Sequence, residues 1–384
     1  MNFALSLSKS LRSRSGLKFF TFLKPLFALL VLFLPAAFAA IYANRFADLF
    51  YDPLAGILDS TLSVINTWPS LLAALFGGSY GLLAMFPFLI LYAMPTIIAF
   101  SVIIEIYKSS GLIDRISVVL QPWLRPIGLG SRDLVRVIMG FGCNVPAIVS
   151  SRNCHSCSRG ACVSAISFGS ACSYQLSSTL AVFAAVGMAG LGVAYVLVLA
   201  VTTLIYLRCT TPKALRLATN KLEELSSSSL SLPKWQSVWR ETAGNFKQFV
   251  VMALPVFVVI CFLAATLDWL SILNWSSSAL APVLALFNLP GDAASAIVLG
   301  AIRKDGIAVG LLDNGGEGLK VALGTPAQVM TTVYLAGVLL PCLVTVFTIV
   351  REISWKFAAK LCTLQMIWAA GFGIILAWGG ALFS

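Results

Sequence analysis

Gly140-Phe141-Gly142-Cys143-Asn144-Val145-Pro146-Ala147 interrupts a chain that is otherwise almost entirely apolar. An uncharged octapeptide with two glycines, a thiol, an amide and a proline predicts a broken backbone at membrane depth. Such breaks are tolerated there only where they are buried in protein or line a wet cavity. In secondary transporters they mark the substrate site. Gly140 and Gly142 admit conformations closed to other residues, while Pro146 removes an amide donor and disfavours helix at Val145. Cys143 and Asn144 set a soft sulfur beside a hard carbonyl oxygen, a pair that suits a borderline divalent ion better than Mg²⁺. The competing reading is a small-residue helix-packing break.

Outward from the octapeptide, the chain is 59% hydrophobic and 11% charged, with mean hydropathy +0.92. Soluble domains carry about 25% charged residues, so the composition indicates an all-α, polytopic membrane protein. Charge-free runs at 25–44, 81–104, 137–151, 160–207, 248–267, 269–291, 321–350 and 361–384, set against about 20 residues per crossing, predict about eight to ten helical segments. Those at 137–151 and 293–302 are too short to cross.

The net charge of +11 does not point to nucleic acid, because the basic residues collect in the connections Lys9–Lys24, Lys108–Arg136, Arg208–Lys247 and Arg351–Lys360. That is the positive-inside pattern, and it leaves 45–79 and 268–292 as outside segments. The expected organisation is a basic cytoplasmic N-terminus (1–24), a first membrane half (25–207) with a gate motif at 137–180, a cytoplasmic linker (208–247), and a second half (248–384) with a gate motif at 296–333. The start resembles a secretory signal, but its apolar run is long enough to span, so an uncleaved first helix is expected. No phosphate-binding glycine motif occurs, and His155 is the only histidine. No enzyme is expected.

The halves echo one another. Ile138-Met139-Gly140-Phe141-Gly142 matches Val298-Leu299-Gly300-Ala301-Ile302, and Gln175 in its Ser/Thr-rich setting matches Gln328. Interrupted segments in corresponding places point to a site at the repeat interface. Gln175 and Gln328, amides inside apolar runs, are candidates for lining a pathway. Arg303, Lys304 and Asp305 lie beside the second break, and charges near membrane depth call for partners; Asp305 is expected to pair with one of the two bases. Glu105 is expected at the interface. Cys143, Cys154, Cys157, Cys162 and Cys172 place five of nine cysteines within 30 residues. Cys154, His155, Cys157 and Cys162 read as a metal relay, a redox dithiol or small residues of a packed loop.

Residues 140–147 resemble, residue for residue, the first gate motif of the FeoB-type ferrous iron transporters. Gly300 to Leu311 resembles that family's second gate, and Pro341-Cys342 with Arg351-Glu352 resembles its closing segment. Gly111 and Arg115 match the connection before the first gate, and Ser170-Ala171-Cys172 falls where the family has a second cysteine. The likeness covers roughly residues 70 to 380. It implies an inner-membrane importer of a divalent transition metal, Fe²⁺ above all, as transported ion with no permanently bound cofactor. Cys143 would be the primary ligand, Asn144 and nearby carbonyls secondary ligands, and Cys172 and Cys342 further thiols on the path. The family also has a GTP-binding domain, which these residues do not contain, so a separate GTPase subunit is an expected partner beside the bilayer, with a homo-oligomer a further possibility. Related gate domains imply two rivals: a carrier or binder of a nucleoside or other organic solute, and a non-transporting membrane regulator.

Overall fold

The computed structural model describes residues 24–382, apart from 217–229, 312–323 and scattered positions that include His155, Asp292, Arg303 and Asp305; the side chain of Cys157 is also outside the description. Helix is the only regular structure among the described residues, as the composition requires. The first half holds Gly56–Ile65 (α1), Ser70–Gly77 (α2), Leu82–Pro87 (α3), Met94–Ser109 (α4), Leu112–Leu124 (α5), Ser131–Gly142 (α6), Asn144–Ser150 (α7), Ser156–Gly169 (α8), Ser173–Ala185 (α9) and Leu191–Thr210 (α10). The second holds Trp235–Gln248 (α11), Leu254–Trp269 (α12), Ile272–Leu284 (α13), Ala293–Ile302 (α14), Pro326–Val338 (α15), Leu343–Glu352 (α16) and Trp355–Ala381 (α17).

By length and composition, four helical stretches among the described residues can cross a membrane: Ser70–Pro87, Leu191–Thr210, Pro326–Glu352 and Trp355–Gly380. Helix α10 shows the physics. It buries Tyr195, Leu199, Thr202 and Tyr206 against protein while Val193, Leu197, Val201 and Leu204 face outward. A helix apolar on all sides belongs in lipid or deep in a core, and four outward aliphatics at three- and four-residue spacing give it a lipid face.

The two halves share one register, at a constant offset, from residue 94 to the gate glycine. Met94–Ser109 and Leu254–Trp269 are each 16 residues long and begin 160 residues apart (94 to 254). The next helices are each 13 residues long with an internal proline, Pro122 and Pro282. Both run into a three-residue 3₁₀ turn. Left-handed residues recur in register as well: Gly111 and Ser271, then Gly128 and Asn288. The same closing bond follows each turn, Leu129 N to Leu124 O and Leu289 N to Leu284 O. The Gly140/Gly300 correspondence seen in sequence is thus one point on a register that reaches back to residue 94. The corresponding connections carry opposite charge character, basic at 108–132 and without Lys or Arg at 268–292. Such a contrast between corresponding connections is the sequence mark of an inverted repeat.

Both gate glycines permit a close crossing. A Cβ on Gly140 would lie 2.6 Å from Ser170 Oγ, and one on Gly300 would lie 2.7 Å from the carbonyl oxygen of Ala336. Ser170 offers a side chain to displace, but Ala336 offers only backbone of the helix packed on α14. Gly300→Ala is therefore expected to cost about 2 kcal/mol through overpacking, read as a lower melting temperature in detergent.

Candidate functional site

The break in the octapeptide is one residue wide. Gly142 ends α6 and Asn144 begins α7, while Cys143 between them is extended at φ −155°, ψ 136°. Pro146 lies outside the break. It occupies the first turn of α7, where its missing N–H has no helical acceptor in any case, and Val145 is helical. The single extended residue reverses the chain. Arg136 Nε donates to Ser150 O at 3.2 Å, and its Nη2 donates to Asn153 O at 3.2 Å. In one straight helix, residues 136 and 150 would stand about 21 Å apart. The short segment is therefore one arm of a re-entrant helical hairpin, with both ends on one side and Cys143 at its tip.

Two further breaks have the same form. Residues 170–172 separate α8 from α9, and residues 339–342 separate α15 from α16. Each break ends in a cysteine that adopts extended backbone and starts the next helix: Cys143 before α7, Cys172 before α9 and Cys342 before α16. The thiols of the second and third breaks lie in the neighbourhood of the first. Cys143 lies within electrostatic range of Cys172 and Cys342, and so does Lys304. Their sulfurs do not form a closed trio, because the one His/Cys/Asp/Glu group among the described residues whose donor atoms all lie within 4.8 Å of one another is elsewhere. Asn144 contributes a buried Oδ1 that has no hydrogen-bond partner among the described residues. That oxygen lies on the Gly140 side of the hairpin, 3.3 Å from where a Cβ of Gly140 would sit. An orphaned buried carbonyl oxygen is costly, and a cation would satisfy it.

Broken helices free carbonyls, and the structure shows what takes them. Lys304, buried in a turn after α14, donates its ammonium to Leu340 O at 2.6 Å and Ala336 O at 3.3 Å. Gln365 on α17, fully buried, donates to Val338 O at 2.7 Å and to Ser167 O at 3.4 Å, and accepts from Ser167 Oγ at 2.7 Å. It ties the ends of α8 and α15 together beside two of the cysteine breaks. Gln365 escapes a sequence reading because its run carries no motif; its only signal is an amide in an apolar stretch. Gln175 is buried and donates to the Tyr195 hydroxyl at 2.7 Å. Its repeat mate has other work: Gln328 forms a capping box with Thr325, and its Nε2 donates to Asn288 O at 2.9 Å.

Charges tie the hairpin to the second half. Arg152, just past α7, makes a two-pronged pair with Glu352 at 2.5 and 2.6 Å, and Arg159 donates to the Glu352 carbonyl at 3.1 Å. The Glu352 side chain is only 2% exposed against 55% for Arg152. Arg159 also stands 3.9 Å from the Glu352 carboxylate, so Arg152→Ala leaves that buried group partly paired and is expected to lower stability only modestly, the Arg152 contact being open to solvent. The measurement is again the melting temperature in detergent. Glu105, expected at the interface, is instead buried and paired with Lys108 at 2.5 Å. Of the thiol-rich loop, Cys154 and Cys162 come together with Asp133. His155, the Cys157 side chain, Arg303 and Asp305 lie outside the described residues, and with them the expected Asp305 ion pair.

The Gate family model, described as nucleoside recognition, matches residues 90–206 and 250–356, more than half of the chain and both copies of the repeat. The chain belongs to the Gate family. Three Fe(2+) transporters named FeoB are similar to it. The protein of Methanocaldococcus jannaschii is 25% identical over 311 residues, which is 71% of this chain and 45% of the relative. That of Staphylococcus aureus strain COL is 33% identical over 64 residues, 17% of this chain and 10% of the relative. That of Legionella pneumophila strain Lens is 36% identical over 63 residues, 16% of this chain and 8% of the relative. The chain spans less than half the length of the curated relatives it matches. No solved structure matches it. Within the Gate family the chain carries the FeoB-type membrane domain, as the motifs at 140–147 and 300–311 implied, and it is a multi-pass helical membrane protein.

Proposed function

We propose that this Gate-family protein imports a divalent transition metal, Fe²⁺ above all, across the bacterial inner membrane. The observation that carries this reading is the placing of Cys143, Cys172 and Cys342 at three neighbouring chain breaks, with the unpartnered Oδ1 of Asn144 beside the first. Thiolates joined by a carbonyl oxygen suit a borderline divalent ion. Cys172 and Cys342 start helices of 13 and 10 residues, whose positive ends favour ionised sulfur. Two thiolates balance a divalent ion, the condition that membrane burial demands. Lys304 holds the carbonyls of the α15–α16 break, so its ammonium stands where an arriving cation would be drawn. Metal entry displaces it.

The inside-negative potential supplies about 2.3 kcal/mol per charge per 100 mV, hence roughly twice that for a divalent ion. Uptake then needs a gate more than a fuel, and a separate GTP-binding subunit fits the part of gate controller. The test is uptake of ⁵⁵Fe²⁺ into proteoliposomes holding an inside-negative potential, with labelled nucleosides as a parallel arm because the family model is described as nucleoside recognition. Iron accumulation above that of empty vesicles is expected. Nucleoside accumulation without iron would replace this reading with the organic-solute one.

A further inference from the structure

One group of side chains outside the gate is built like a ligand set. The carboxylate of Asp133 and the thiols of Cys154 and Cys162 have donor atoms all within 4.8 Å of one another. They come from three places in the chain: the first turn of α6, the residue after the hairpin's return arm, and the second turn of α8. Asp133 and Cys162 are buried, whereas Cys154 is half-buried and leaves one side open to an arriving ion. We propose that these three residues form a second metal site, at the base of the first hairpin, for a borderline divalent cation such as Fe²⁺, Zn²⁺ or Co²⁺.

The chemistry supports a metal. Two sulfurs and one carboxylate match the ligand preferences of such ions and leave a fourth, open position. Asp133 is already oriented: one oxygen accepts the Gly130 N–H at 3.0 Å, the other accepts from Arg136 Nη1 at 3.0 Å. Each oxygen keeps a lone pair for a metal, so these bonds serve as the supporting contacts that hold a ligand in place. Cys162 Sγ is 3.9 Å from the Asp133 carbonyl, which holds its sulfur over the start of α6. On binding, two S–H bonds break, their protons pass to solvent and two S–metal bonds form, with no change of oxidation state. Two thiolates and a carboxylate against the divalent ion and Arg136 sum to zero charge. Because Arg136 also bonds Ser150 O and Asn153 O, an ion there would join the entry of α6 to the chain leaving α7. The hairpin's two feet would be clamped.

The site is independent of the transport reading, and its test is an equilibrium one. The full chain, purified anaerobically in detergent, is titrated with Co²⁺ while thiolate-to-cobalt charge-transfer absorption is followed. With the gate ligand removed by Cys143→Ser, the band is expected to persist, and adding Cys154→Ser to that protein is expected to weaken binding at least tenfold. Absence of the band in Cys143→Ser, or its undiminished retention when Cys154→Ser is added, overturns the proposal. A second measurement needs no variant: Cd²⁺ should protect Cys154 of the wild-type protein from maleimide, mapped by mass spectrometry. Unprotected Cys154 at saturating Cd²⁺ overturns it equally. Failure of iron uptake in the vesicle assay would leave both outcomes unchanged, so the two readings fail separately.

Discussion

Replacing Cys143 with serine is expected to lower the rate of Fe²⁺ uptake about a hundredfold while leaving the melting temperature of the protein in detergent unchanged or slightly raised. The two halves of this expectation have separate causes. Sulfur is the soft ligand at the hairpin tip, and a neutral hydroxyl neither ionises nor matches a borderline ion. Even loss of a residue that merely supports a metal ligand costs ten- to a hundredfold in affinity, so loss of a ligand belongs at the upper end. The fold has no such need of sulfur. Cys143 sits in extended backbone that any residue adopts, and its side chain makes no capping hydrogen bond to α7. Serine is a better N-cap than cysteine. Uptake that survives Cys143→Ser would remove Cys143 from the ligand set, whereas a fall in stability equal to the fall in uptake would make its role structural.

Lys304→Gln is expected to act in the opposite direction, lowering the Fe²⁺ concentration for half-maximal uptake about a hundredfold. A unit charge near a divalent ion repels it by a few kcal/mol at an effective dielectric of about 20, and a hundredfold change in affinity needs only about 2.7 kcal/mol of that relief. The glutamine amide can still donate to one of the two carbonyls now held by the ammonium, Leu340 O or Ala336 O. The unmet carbonyl costs about 1–2 kcal/mol of stability, visible as a lower melting temperature. A half-saturating concentration that stays the same or rises would show that Lys304 serves the helix break alone. The pair of variants is diagnostic because one ligand is removed and one competing charge is removed, and an ion of the same charge reports both.

How much of this was legible in the residues depends on whether the signal was local. The break at 140–147 was, because glycine, cysteine and asparagine between apolar helices leave few other structures open. The Gly140/Gly300 match was legible as well, although the structure shows its full extent, from the paired helices at 94 and 254 to the paired prolines at 122 and 282. Left-handed positions filled by Gly in one copy and by Ser or Asn in the other hide that register from a sequence comparison, since different residues meet the same backbone demand. Gln175 and Gln328 show the opposite failure. The sequence places them in equivalent helices, yet one is buried against Tyr195 and the other caps a helix start. Periodicity reports a face, not what a neighbouring helix brings to it.

By itself the sequence determined that the chain is helical, lies in a membrane, carries an echo between its halves and breaks its backbone within residues 140–147. Each of those follows from composition, from charge placement or from the short-range conformational limits of glycine and proline. Only the tertiary structure decided that the break is a hairpin tip, that Cys172 and Cys342 open two further helices beside it, and that Lys304 and Gln365 take the carbonyls the breaks release. It alone brought Asp133 to Cys154 and Cys162. The reason is physical: partners for freed backbone groups and for thiols are chosen by which helices cross. Those crossings depend on close approaches, such as Gly300 against Ala336, between residues far apart in the chain.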